Sequence, residues 1–380
     1  MQKILKVCLL LLVLILLFSL PLSAQADIGG ELKTTLIGTV GEDGEISTDL
    51  QESLDLELFL PEFGNTEAKF QLELFNPPLK DLTGDDQRIS VKKLYLRHRF
   101  TNLNLTLGRQ PISWSFGSLL NPVDFTLGAV AMGEETSGKY VDAVEGYIPF
   151  NWNSGLALVA AYPEHSDEIK WGVRGRAGIR GYDLTMNFVR EPEITVEIPG
   201  VGMFTNPPAK RAGLTFKGDL GPIGAYGAVG YYRRNNQESY VYLLGGDYSY
   251  YSGFDKKITF QLEYLSVNRD NLNNILGMNL TGLTSGGDDT LNLLLGNVSY
   301  PINDFSSVSL LPVISLDDGS LLLNPTYQNL LGNNLTLTVS GVVYYGDEDT
   351  LFGPKEITPV QGLPQKVPKG VLEVGFSYSF

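Results

Sequence analysis

Strict alternation of apolar and polar residues, in segments of about ten residues, is the feature that most limits what this chain can fold into. The last nine residues are its clearest case, with Leu372, Val374, Phe376, Tyr378 and Phe380 on one side and Glu373, Gly375, Ser377 and Ser379 on the other. Successive side chains of a β-strand point to opposite faces of the sheet. The segment therefore predicts a strand with apolar surroundings on one face and water on the other.

The alternation recurs along the chain, with turn residues between the segments. It is regular over residues 50–60, 67–74, 182–188 and 258–264. Carboxylates and lysines occupy the polar positions throughout, which predicts a water-filled interior if the strands close into a barrel. A soluble sandwich that buries its apolar face between two sheets is the competing interpretation, and periodicity alone does not separate the two.

The first residues of the chain favour the barrel. Lys3 and Lys6 precede an apolar run from Val7 to Leu22, and Ala24-Gln25-Ala26 then offers a small-x-small cleavage pattern. We predict a secretion signal over residues 1–26, cleaved to leave 27–380. An uncleaved anchor is the alternative, but the run is shorter than the ~20 apolar residues that a spanning helix needs.

Composition narrows the function classes. A formal charge of -15 argues against nucleic-acid binding, because phosphate would be repelled. Cys8 is the single cysteine and lies inside the predicted signal, so cysteine-based metal sites are excluded from the mature chain. We expect no cofactor and no metal.

The predicted fold is an all-β, transmembrane, antiparallel up-and-down barrel of about eighteen strands, a size typical of solute-conducting barrels. Short turns are predicted on the periplasmic side. The longer connections, predicted to be extracellular or folded inward, are residues 77–87, 111–138, 191–208, 269–288 and 346–368. Segments 306–315 and 320–328 are the least regular, and without that hairpin the count would be about sixteen.

One internal stretch, Leu105 to Gly128, carries a family resemblance. Gly108-Arg109-Gln110 ends a strand, and Trp114 and Asn121-Pro122-Val123-Asp124 follow in order. This stretch resembles the strand-to-loop region of the outer-membrane porin superfamily that includes alginate-export and phosphate-selective-type barrels. The resemblance implies that residues 111–138 fold into the barrel as a constriction loop, which would also give its apolar side chains cover from water. A loop lying over the mouth is the alternative.

The last strand also resembles the ending of bacterial outer-membrane barrels. The resemblance implies that Phe376, Tyr378 and Phe380 form the signal read by the barrel assembly machinery. The resemblance to porins, rather than the last strand, implies a homotrimer, and nothing in the sequence marks the interface.

Selectivity in a channel depends on the charges that meet at its narrowest point. Alternation predicts inward-facing cations on three strands that flank the loop, opposed by acids of the loop itself. The predicted constriction and lumen residues are Lys93, Arg97, Arg99, Arg109, Trp114, Asp124, Glu134, Glu135, Arg174, Arg176 and Arg211.

The predicted function is passive diffusion of small hydrophilic solutes across the bacterial outer membrane, with membrane lipid, the assembly machinery and the solutes as partners. We do not expect an enzyme. A closed structural or adhesive barrel is the alternative. A hydrolase using His165 or Ser166 is a minor one, because adjacency along a loop does not give the geometry of a catalytic triad.

Overall fold

The computed structural model describes residues 27–41, 44–80, 86–112, 140–162, 168–198, 202–234, 237–252, 256–268, 290–348, 350–354, 356–357, 365–366 and 368–380. The predicted signal, residues 1–26, lies outside the described residues. Of the predicted constriction loop, only Pro111 and Ile112 are described.

Eighteen strands form one antiparallel sheet that closes on itself, which confirms the predicted fold class and strand count. They are β1 (Asp27–Val40), β2 (Ile46–Phe59), β3 (Thr66–Lys80), β4 (Asp86–Arg99), β5 (Asn104–Pro111), β6 (Tyr140–Asn151), β7 (Ser154–Ala161), β8 (Lys170–Ile179), β9 (Tyr182–Glu191), β12 (Ala209–Leu220), β13 (Ile223–Arg234), β14 (Gln237–Ser252), β15 (Lys256–Asn268), β16 (Thr290–Asn303), β17 (Ser306–Ser315), β18 (Leu321–Leu330), β19 (Leu335–Tyr345) and β22 (Gly370–Ser379). Two short hairpins lie outside the barrel sheet, in connections between its strands. One pairs β10 (Ile194–Ile198) with β11 (Gly202–Asn206), and the other pairs β20 (Glu356–Ile357) with β21 (Gln365–Lys366).

Closure is made by β1, which pairs with β2 on one side and with the last strand, β22, on the other. The irregular segments at 306–315 and 320–328 are confirmed as the paired strands β17 and β18. Because the strand number is even, the start of β1 and the end of β22 lie at one end of the barrel, together with the short turns. We call this the turn end, and the end carrying the longer connections the loop end.

The outer face of the barrel is apolar and exposed. On β9, Met186 is 67% exposed, whereas its inward-facing neighbours Thr185 and Asn187 are 7% and 1% exposed. The same relation holds on β12, where Leu214 is 55% exposed and Thr215 is 4% exposed. A soluble sandwich would bury these apolar side chains, so the sandwich interpretation is wrong. The exposed belt is the face that a membrane barrel turns to lipid.

Among the described residues, no helix is long and apolar enough to cross a bilayer.

The prediction of a polar inner face throughout is wrong toward the loop end of the wall. Toward the loop end of β13–β18, inward positions carry apolar side chains that are almost fully buried. They include Val241 and Leu243 on β14, Leu265 and Val267 on β15, Leu291, Leu293 and Leu295 on β16, Val313 on β17 and Leu322 on β18. The alternation itself is unbroken, since Leu265 pairs with Leu293 and Leu243 across the sheet. The sequence analysis did not single out these residues.

Candidate pore lining

The inner face of β2–β4 is lined by paired charges. Lys92 Nζ lies 2.8 Å from Asp55 and 3.1 Å from Glu73, and all three side chains are at most 17% exposed. Nearer the turn end, Glu67 accepts from Arg99 at 3.1 Å and lies 3.6 Å from Arg97. Carboxylates and cations therefore largely neutralise one another along this wall.

A β-bulge explains why Lys92 belongs to this network. Val91 pairs with Leu72 and Lys93 pairs with Gln71, so Lys92 is the extra residue between two paired positions. A bulge places two successive residues against one partner and redirects a side chain that alternation would send outward. Lys93 also faces inward, with its Nζ 3.8 Å from Glu57. Sequence reasoning missed Lys92 because period-two counting fails at an inserted residue.

The neighbouring stretch of wall orients Arg97. Its guanidinium lies 5.4 Å from the centroid of the Tyr95 ring, and its Nε donates to Thr106 of β5 at 3.3 Å. Gly108, opposite Tyr95, has φ of 117°, and a side chain there would collide with the carbonyl oxygen of Leu94. Glycine at this position therefore allows the close approach of β4 and β5 beside the Tyr95–Arg97 pair.

A second charged cluster lies on the inner face of β8, β9, β12 and β13, at the loop end. Glu191 accepts from Lys170 at 2.6 Å and from Arg211 at 2.8 Å, and Arg234 lies 3.8 Å away. The side chains of these four residues are 10–18% exposed. Three cations thus surround one carboxylate, in contrast to the balanced β2–β4 wall.

Tyr232 lies between two of these cations. The guanidinium carbons of Arg211 and Arg234 are 5.1 and 5.2 Å from its ring centroid, within the range of cation–π attraction. Sequence reasoning did not single out Glu191 or Arg234. Inward parity identifies Arg234, since it follows Tyr232 by two residues on β13.

The predicted lumen residues separate into three groups. Lys93, Arg97, Arg99, Arg174, Arg176 and Arg211 lie on the inner parity, although the cations of β4 do not form an unopposed basic wall. Arg176 is paired with Asp183 at 2.8 Å near the turn end. Trp114, Asp124, Glu134 and Glu135 lie outside the described residues.

Arg109 is a correction. It pairs across the sheet with Leu94, on the outer face, and its guanidinium lies 3.6 Å from Asp142, which shares that face. The strand runs to Pro111, so the alternation that turns Leu105 and Leu107 outward continues through Arg109 and turns it away from the lumen.

Two residues of the predicted assembly signal, Phe376 and Tyr378, lie on the outer face of β22, and Phe380 directly follows the strand. Phe376, Tyr378 and Phe380 are 44%, 47% and 49% exposed, and the rings of Tyr378 and Phe380 are stacked with centroids 6.5 Å apart. Their exposure leaves them accessible, and their part in assembly stays a prediction.

At the loop end, the turn between β17 and β18 is hydrogen-bonded to the connection that follows β19. Asp318 accepts from the Ser320 hydroxyl at 2.6 Å, from the Ser320 N–H at 3.0 Å and from the Leu351 N–H at 2.7 Å. Burial raises the pKa of Asp318, but these hydrogen bonds lower it more, so its pKa lies below the usual value. Leu351 and Phe352 then pack against the buried apolar sector of the inner wall.

No family model matches the chain, and no curated protein sequence matches it. Solved structures do share its fold. Wzi of Escherichia coli, a carbohydrate-binding β-barrel of the outer membrane involved in group 1 capsule assembly, has a TM-score of 0.56 at 13% identity, covering 94% of this chain and 85% of its own. OccK8 (OprE) of Pseudomonas aeruginosa has a TM-score of 0.55 at 8% identity, covering 94% and 98%. An anion-selective porin of Comamonas acidovorans has a TM-score of 0.51 at 14% identity, covering 94% and 100%.

The chain has an outer-membrane porin-type β-barrel fold. Together with the exposed apolar belt, this fold agrees with the predicted location in the bacterial outer membrane.

Proposed function

We propose that the protein is a channel through which small hydrophilic solutes diffuse passively across the outer membrane. The observation that carries this proposal is the lining of paired charges on β2–β4 inside a closed barrel of eighteen strands. Charged side chains on an inner face are stable where water can solvate their remaining hydrogen-bonding capacity. A solute then passes through water inside the barrel, without entering lipid or a dry protein core.

Selectivity in this proposal comes from the uneven distribution of charge around the wall. The cluster of Lys170, Arg211 and Arg234 around Glu191 leaves positive charge on one side near the loop end. The β2–β4 sector has no such excess of positive charge, because its cations and carboxylates are paired. A lumen charged on one side creates a transverse field that orients dipolar or anionic solutes as they pass. The constriction itself is proposed to be formed by residues 111–138, and the assembly to be a homotrimer.

Single-channel recording in planar bilayers tests the proposal. The folded protein is expected to give steady conductance, and its reversal potential in asymmetric KCl gives the sign of the selectivity. Deleting residues 112–134 is expected to raise the conductance, because the proposed constriction is removed. A folded, heat-modifiable barrel without current in both forms would refute the channel.

A closed barrel is the second candidate, and the buried apolar sector favours it. Leu265, Val267 and Leu295 on the inner face are 0% exposed, so this part of the lumen wall is covered rather than wet. A structural or adhesive barrel needs no continuous water path. Silence in both recordings, with the fold intact, would support this candidate. The exclusion of enzymatic activity stays a prediction, since His165 and Ser166 lie outside the described residues.

A further inference from the structure

Three cations stand side by side on the outer face of the barrel at its loop end. Arg190 of β9 pairs with Lys210 of β12, and Lys210 pairs with Arg233 of β13. The row is flanked by Trp171 of β8, opposite Arg190, and by Glu238 of β14, opposite Arg233. We call Arg190, Lys210 and Arg233 the outer cation row.

The outer cation row is distinct from the charged cluster of the lumen. Glu191, Arg211 and Arg234 are the next residues along the same strands and face inward, so the strands themselves separate the two sets. The three cations of the row are exposed. Proteins in the membrane or lipids around it can reach them, whereas solutes inside the lumen cannot.

The row lies at the upper edge of the apolar belt. Below it on the outer face of β9 come Phe188, Met186, Leu184 and Tyr182, all exposed and apolar or aromatic. From Arg190 to Tyr182 the strand spans about 26 Å, or about 20 Å across the bilayer at a tilt near 40°, against an apolar band of ~25 Å. The span is a few ångströms shorter than the band, so the backbone of the row lies near the edge of the band, and the long arginine and lysine side chains extend from there to the lipid headgroups.

The aromatic side chains beside the row support this depth. Tyr231, two residues below Arg233, packs against Tyr240 with ring centroids 5.4 Å apart, and Trp171 packs against Phe188 at 5.6 Å. Amphipathic rings concentrate at the interface between hydrocarbon and water. The row thus stands just above an aromatic girdle.

Two of the three cations of the row lack a counter-charge among the described residues. Glu238 lies 3.9 Å from Arg233, and in the described part of the chain Arg190 and Lys210 make no ion pair. Like charges directly opposite one another on neighbouring strands destabilise a sheet. By contrast, Arg109, also on the outer face toward the loop end, is matched by Asp142. An external anion would offset the repulsion in the row.

We propose that Arg190, Lys210 and Arg233 bind the phosphate groups of anionic lipid headgroups in the membrane leaflet at the loop end. Arginine and lysine are suited to this role, because guanidinium bridges two phosphate oxygens and ammonium acts as a compact point charge. The cross-strand spacing of about 5 Å lets neighbouring cations share one headgroup. This site stands apart from the proposed function, since a silent barrel would keep it.

Lipid titration of the purified full-length protein in neutral detergent tests the proposal. Phosphatidylglycerol and phosphatidylcholine of equal chain length are the probes, and native mass spectrometry counts the bound molecules. The variant carries Arg190→Gln, Lys210→Gln and Arg233→Gln, which keep side-chain length and remove charge. The control carries Lys33→Gln, Lys69→Gln and Lys217→Gln, three inner-face positions with the same loss of charge.

The wild type and the control are expected to prefer phosphatidylglycerol, and the variant to lose that preference. Each neutralised cation should weaken phosphatidylglycerol binding about fivefold, or about a hundredfold for all three. Equal preference in variant and wild type would overturn the proposal. So would displacement of the bound lipid by a tenfold excess of inorganic phosphate, which would indicate a site for free phosphate. A change in oligomer mass with unchanged lipid preference would assign the row to a subunit contact and also overturn it.

Discussion

Replacing Glu191 by glutamine is the most informative single change to the lumen wall. The carboxylate lies between Lys170 and Arg211 at 2.6 and 2.8 Å, with Arg234 at 3.8 Å. Glutamine has nearly the same volume, so packing is retained while the negative charge is lost. The three cations then face one another without a counter-charge in a wall that is only 10–18% exposed.

The size of the effect follows from distance and burial. At an effective dielectric constant near 20, a cation 2.6–3.8 Å away attracts the carboxylate by about 4–6 kcal/mol. Most of that attraction is offset by the cost of removing the charges from water and by repulsion among the cations. The net cost of removing one partner from a buried ion pair is about 3–5 kcal/mol. Glu191→Gln should therefore lower the free energy of unfolding by about 3–5 kcal/mol.

Reversible urea unfolding in lipid vesicles, followed by tryptophan fluorescence, measures the change. Asp183→Asn is the matched control, since Asp183 lies on the same strand and pairs with Arg176 at 2.8 Å, but the two side chains are 42% and 49% exposed. An exposed pair contributes about 0–1 kcal/mol, so Asp183→Asn should be nearly neutral. Adding Arg211→Gln to Glu191→Gln should recover part of the loss. Equal effects of the two single changes, or no recovery, would refute the reasoning.

Three further changes test other parts of the structure by the same unfolding assay or by hydrogen exchange. Lys92→Ala should lower the free energy of unfolding by about 3 kcal/mol, because two buried carboxylates lose their shared cation. Lys93→Ala should lower it by less than about 1 kcal/mol, because the Glu57 carboxylate lies 3.8 Å from Lys93. If the two lysines are equivalent, the bulge does not direct Lys92 inward. Gly108→Ala should lower the free energy of unfolding by about 1–3 kcal/mol, because a residue with a side chain at this position would adopt a strained backbone conformation. Gly175→Ala is the control and should be tolerated, because there is open space at its Cβ. A neutral result at both positions would contradict the strain at Gly108. For Asp318 the folded pKa is depressed, so its stabilisation is present above the unfolded value of about 3.9 and is lost as the pH falls through the folded value. The protection factor of the Leu351 amide, which is the ratio of its intrinsic to its observed exchange rate and so corrects for the intrinsic pH dependence of amide exchange, should fall in that acid range in the wild type, and Asp318→Asn should remove this fall.

Much of the fold was predictable because a barrel wall has a simple period. Each wall residue faces either lipid or the interior, so alternation over β9 and β15 predicted strand, face and neighbours together. The even strand count and the alternation of short and long connections followed from the turn residues.

The candidate site was less predictable, because parity fails where the strand departs from regular pairing. Lys92 enters the lumen only through the inserted residue of the bulge. Arg109 was expected in the lumen, but β5 continues to Pro111, and the continued alternation turns Arg109 outward toward Asp142. Alternation with Leu105 and Leu107 places Arg109 on the outer face, so the lumen assignment of Arg109 was wrong on the local pattern itself, whereas no local pattern reveals the inserted residue at Lys92.

Burial and charge pairing depended on tertiary structure for a different reason. Residues such as Glu191 and Arg211 are twenty positions apart, and only closure and register bring them to 2.8 Å. The apolar inner sector around Leu265 and Leu293 likewise depends on what covers it in three dimensions. The sequence by itself determined where the strands lie and which residues share a face, because hydrophobic periodicity is local. The register and curvature of the closed sheet alone decided which charges meet inside it, because those contacts join distant parts of the chain.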